Sequence, residues 1–121
     1  MIRDIKLKLG GEVRDFSFGI TFLGEVLERL DVDYTTMLNK VSKNPFKYSP
    51  ILMYESLKNT QNRIGKEPEF TEKDVIDWLN QEENLGVDVM LSFINAFMGT
   101  QENKTPEIEV EDEDIDNVKK K

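Results

Sequence analysis

The chain opens on an alternation of apolar and charged positions. Ile5, Leu7 and Leu9 are separated by Lys6 and Lys8, and after Gly10-Gly11 come Val13, Phe16 and Phe18. A period of two, broken by a glycine pair suited to positive φ, predicts a β-hairpin over residues 2–18. A two-residue Gly-Gly loop sets Ile5 opposite Phe16 and Lys6 opposite Asp15; a bulged loop shifts this register by one.

Beyond the hairpin the period lengthens. Phe22, Leu23, Val26, Leu27 and Leu30 recur at helical spacing, with Thr21 as the expected N-cap. A short second helix is expected from Tyr34 to Val41, capped by Asp33 and closed by the break at Lys43-Asn44-Pro45. Ser49-Pro50 then reads as the start of a long helix running to about Ile64, where Gly65 stops it. Its apolar side is Ile51, Leu52, Tyr54, Leu57 and Ile64, and its polar side Glu55, Lys58, Asn59 and Asn62.

The stretch FTEKDVIDWLNQ supplies a fourth helix, with Thr71 as N-cap and Asp74 at the third helical position, a variant of the capping box. Val75, Ile76, Trp78 and Leu79 form its buried side, with Trp78 as a core anchor. The fifth helix, Leu85 to Met98, is apolar over an arc of about 220° at 100° per residue, about twice what one contact face needs. Either it is a central helix buried on several sides, or one edge is exposed until a partner covers it. The second alternative singles out Leu91, Ile94, Phe97 and Met98 as partner-binding residues.

The expected fold is therefore mainly α with a small N-terminal β-hairpin (α+β), a compact bundle of about five helices. Residues 1–100 form the helical domain. Residues 101–121 carry eight acids against four bases, with isolated aliphatics, and read as a disordered acidic tail. Ile108 and Val110 in that tail suit addition of an extended segment to another protein, and complete the set of candidate partner-binding residues.

Composition narrows the chemistry. The 121 residues include no cysteine and no histidine, which removes thiol nucleophiles, thiolate metal sites and the commonest general base. Asp112, Asp114 and Asp116 imitate the start of a calcium loop, but Asn117 stands where glycine is needed. No phosphate loop or nucleophile elbow occurs, so no catalytic residue, metal or cofactor is expected. A net charge of −8 disfavours nucleic acid and anionic membrane as partners. No apolar run approaches a membrane span and no signal-peptide block opens the chain, which gives a cytoplasmic expectation.

Three stretches together, the glycine-turn hairpin, FGITFLGEVLERL and SPILMYESLKNTQNRIGKEPEFTEKDVIDWL, resemble the small tail assembly chaperones of long-tailed bacteriophages over residues 5–98. The long acidic tail ending in three lysines departs from many relatives. The resemblance implies a non-enzymatic protein of the host cell cytoplasm that binds the tape-measure protein, promotes assembly of tail-tube protein around it, and is absent from the mature virion. Self-association is compatible with it. The competing expectations are a head-tail connector or tail-terminator component retained in the virion, and an acidic mimic of DNA.

Because the core pattern ends at Met98, a chain ending at residue 100 is expected to retain cooperative thermal unfolding. Loss of cooperativity would mean that the tail completes the core.

Overall fold

The computed structural model describes residues 3–102. The acidic tail beyond them, with Ile108, Val110, the aspartates of the calcium-loop imitation and the expectation of disorder, lies outside the described residues. The elements are β1 (Arg3–Leu9), β2 (Glu12–Phe18), α1 (Ile20–Leu30), α2 (Tyr34–Lys43), α3 (Pro45–Arg63), α4 (Glu72–Gln81) and α5 (Val87–Glu102). This is the expected mainly helical fold with an N-terminal antiparallel hairpin.

The hairpin takes the register set by a two-residue loop. Ile5 faces Phe16 and Lys6 faces Asp15, with Lys6 Nζ 2.5 Å from the Asp15 carboxylate. Gly10 and Gly11 supply the loop with φ of 66° and 83°. Val13 pairs with Lys8 on the outer face and is exposed, out of phase with Phe16 and Phe18. The second half of β2 is buried on both faces. Phe16 and Phe18 meet the rings of α5, and Ser17 meets α3, where its Oγ lies 2.7 Å from Thr60 Oγ1 and accepts from Arg63 Nη1 at 2.9 Å. Ser56 Oγ donates to the Ser17 carbonyl at 3.0 Å, so the polar side of the strand is satisfied without water.

α1 begins at Ile20 with Gly19 as its cap residue, and no side chain caps it. The strand ends at Phe18 and turns into the helix before Thr21 is reached. Asp33 and Thr71 cap as expected: Asp33 Oδ1 accepts from the Thr36 amide at 2.8 Å, and Thr71 and Asp74 form the reciprocal box.

α3 starts at Pro45, about one turn before Ser49-Pro50, and touches β2 and all four other helices. Pro45 has the proline advantage at a helix start, whereas Pro50 sits inside the helix and cannot donate to the Phe46 carbonyl. Ser49 is consequently an interior residue, not a cap, and its buried Oγ has no hydrogen-bond partner among the described residues.

The expected polar side of α3 is also revised. Glu55 is only 4% exposed, and Asn59 is buried too. Glu55 is tolerated because Arg29 of α1 donates to its Oε2 at 3.0 Å and Lys58 Nζ lies 2.9 Å from Oε1. Arg29 also reaches Glu72 of α4, so one guanidinium ties α1, α3 and α4 together. Burial alone lowers the Arg29 pKa, but the bonds and charges of Glu72 and Glu55 outweigh it and the net shift is upward.

The core is built where the hairpin meets α1 and α5. Phe16, Phe18, Phe22, Phe93 and Phe97 form a chain of edge-to-face and tilted rings with centroids 5.3–5.9 Å apart. Trp78 is peripheral to this cluster. It is partly buried, covered by Gly10 and by the Arg14 guanidinium 3.9 Å from its ring centroid, with Phe70 alongside. A Cβ at Gly10 would lie 2.8 Å from the indole, so the hairpin loop is fitted to that ring.

Phe93→Ala should accordingly cost about 3–5 kcal/mol in denaturant unfolding. Trp78→Ala should cost less, because part of the indole is already in water. The reverse order would make Trp78 the principal anchor.

Candidate functional site

Helical geometry divides α5 into two apolar sectors. At 100° per residue, Phe93, Phe97 and Met90 fall within about 60° and face the core, and Val87, Leu91, Ile94 and Met98 fall within the next sector of similar width. In this second sector Leu91 is 47% exposed and the other three are half-buried. Of the expected exposed edge, Leu91 is exposed, while Ile94 and Met98 are half-buried and pack partly against the core. Phe97 does not belong to it: one turn after Phe93 it points into the core, fully buried against Phe18 and Phe22.

The edge leads into an open apolar groove of about 410 Å³ where the starts of α3 and α5 meet α4. Phe46 and Pro50 form one wall, Ile76 and Leu79 the floor, and Leu85, Val87 and Met90 the other wall. Phe46 and Pro50 on α3, Ile76 and Leu79 on α4, and Val87 and Met90 on α5 each share a helical face at spacings of three or four residues, whereas Leu85 precedes α5. Phe46 is 61% exposed, Leu85 65% and Ile76 39%. None of these three was marked by periodicity as a surface residue. Ile76 fits the buried side of its helix, Leu85 fits the start of the last one, and Phe46 stands in a segment that reads as a break.

Leu85 is held at the rim by an unusual backbone. Asn84, Leu85 and Gly86 are successively left-handed, with φ of 56°, 53° and 70°. Gly86 is required there, because a Cβ would lie 2.7 Å from Leu79 Cδ2. Leu85 has no such excuse: a leucine in this region costs roughly 1–2 kcal/mol. The strain holds a large apolar side chain in water beside other apolar side chains, an arrangement that stability alone does not explain.

A second concavity, about 360 Å³, is lined by Glu12, Arg14, Gln61, Lys66, Glu69 and Trp78. Its charges are mixed, and Arg14 is already committed to the indole and to the Leu9 carbonyl, 2.7 Å from its Nε. It offers no converging set of free groups. Among the described residues no group of three acids is placed to hold a metal ion, and no helix is long and apolar enough to cross a membrane.

Leu85→Gly should raise stability by about 1 kcal/mol in thermal or denaturant unfolding, because it removes the left-handed penalty at little loss of burial. A destabilised variant would mean that the Leu85 side chain contributes to the core. Comparison with known proteins adds no identification: no family model, no curated protein and no solved structure matches the chain.

Proposed function

We propose that this protein is a tail assembly chaperone of a long-tailed bacteriophage, a non-catalytic binder that holds segments of the tape-measure protein while tail-tube subunits assemble. The observation that carries the reading is the continuous apolar surface formed by the groove and the α5 edge. Its lining is drawn from α3, α4, α5 and the residue before α5, and its open trough suits an amphipathic helix of the client laid with its apolar face inward. Met98, half-buried on the α5 edge, adapts in shape to varied neighbours, as reversible holding of different client segments requires. The resemblance of residues 5–98 to the chaperone family selects the phage role from among helical binding adaptors. The protein then acts in the host cytoplasm and leaves the mature particle.

The test is co-expression with the tape-measure protein. Leu85→Glu combined with Leu91→Glu should weaken co-purification by roughly 10–100-fold, because both side chains are exposed and a carboxylate must be desolvated in the complex. Val13→Glu, on the outer face of the hairpin, should leave it unchanged. Full binding by the folded groove variant would overturn the reading, and stoichiometric presence of the protein in purified virions would favour a structural component instead.

A further inference from the structure

The two long edges of the hairpin are treated differently by the fold. On β2, Thr60 Oγ1 donates to the Asp15 carbonyl at 2.9 Å and Ser56 Oγ to the Ser17 carbonyl at 3.0 Å, so α3 closes that edge. Carbonyls turned toward α3 are turned away from β1. Lys6–Asp15 and Asp4–Ser17 are therefore non-hydrogen-bonded pairs of the ladder, and Lys8–Val13 is the next by alternation. The amides and carbonyls of Asp4, Lys6 and Lys8 consequently point outward along the other edge, that of β1. Among the described residues none of these groups has a hydrogen-bond partner. The three side chains are exposed, and Ile5 and Leu7, between them on the core face, are only half-buried.

Such an edge is a template for one more strand, and the order of side chains along it selects which strand. Asp4 and Lys8 stand equally far from Lys6 and carry opposite charge, so the edge is complementary to its own reverse. A two-fold axis at Lys6 sets Asp4 opposite Lys8 of a second copy, and Lys8 opposite Asp4 of that copy. Each Lys6 meets its equivalent, but both are already neutralised by their own Asp15, 2.5 Å away. Asp4 uses Oδ1 for Arg63, at 3.3 Å, and keeps Oδ2 for the incoming lysine. On the core face Ile5 lies against Leu7 of the second copy, which covers side chains now half in water. Moving the axis to Leu7 opposes Lys6 and Lys8 twice. Moving it to Ile5 brings Asp4 to a lysine that already has its acid, and leaves Lys8 outside the described overlap.

We propose that β1 is a homodimer seam, at which two copies pair antiparallel along residues 4–8 to build one four-stranded sheet in the order β2-β1-β1-β2. Lys6 with its equivalent, and Asp4 with Lys8 on either side, each exchange two N–H···O bonds. The dimer removes the open strand edge that a single copy presents to any extended chain. The seam shares no residue with the apolar groove and does not depend on the client.

Sedimentation of the full-length protein over a range of concentrations should show a reversible passage from one chain to two. The amides of Asp4, Lys6 and Lys8 should exchange with deuterium more slowly as the dimer fills. Asp4→Lys and Lys8→Asp, each alone, oppose like charges twice and should weaken dimerisation by about tenfold or more, with circular dichroism unchanged. Mixing these two variants should restore the dimer, because both opposed pairs then regain opposite charge, and the double variant should dimerise like the parent. A single chain at every concentration overturns the proposal; slow exchange of the β1 amides in that single chain assigns the edge to an occupant from the same chain. A dimer indifferent to Lys8→Asp also overturns it, as does one abolished by Leu91→Glu and untouched by the charge variants, which places the contact on α5.

Discussion

The fold depends on the accommodation of α3 on every side. A helix that contacts one strand and four helices cannot keep a solvated polar stripe, so its buried polar residues depend on partners inside, and Ser49 Oγ is left without one among the described residues. Glu55 finds partners in Arg29 and Lys58, and Ser56 and Thr60 in the backbone of β2. These bonds are directional where the phenylalanine cluster is not. They set the rotation of α3 under the hairpin, and the aromatic rings of α1, β2 and α5 then close over the other face of the strand. Removing one partner of Glu55 would leave a buried carboxylate short of counter-charge, a defect costlier than most surface ion pairs could repay.

The parts of the fold governed by neighbouring residues were legible in the sequence. The glycine pair and the alternation around it defined the hairpin and one of its two candidate registers, and Thr71 with Asp74 marked a helix start that forms as read. The start of α3 was not legible, because two prolines each offered a beginning and the choice between them is made by packing. The buried side of α3 was masked for a related reason: Glu55 and Asn59 look solvated until the residues that satisfy them are known. At the candidate site, the edge of α5 could be read from its excess apolar arc, but Phe97 could not be separated from it without knowing which sector faces the core. The groove itself was invisible, since Phe46, Ile76 and Leu85 come from three distant segments and each has an ordinary local reading.

The division of α5 into two apolar sectors reconciles the two expectations for that helix. Its Phe93 and Phe97 sector completes the core, and its Leu91 sector remains half in water. The central role goes instead to α3, whose mixed composition gave no such signal. An apolar arc wider than one contact face thus meant two different surfaces on one helix, one structural and one available.

Pro50 has a mechanical consequence for the groove it lines. The Phe46 carbonyl lacks the amide that would normally close its helical ring, so the turn carrying Phe46 is joined to the rest of α3 by one hydrogen bond fewer than a regular helix provides. Bending costs least at such a point. The wall of the groove that carries Phe46 is therefore the one with the weaker helical support, while its floor on α4 is held by the Thr71 capping box and the Arg29–Glu72 contact. Side chains of different girth would then be accommodated at that wall first, at less cost than by disturbing the aromatic core behind the groove.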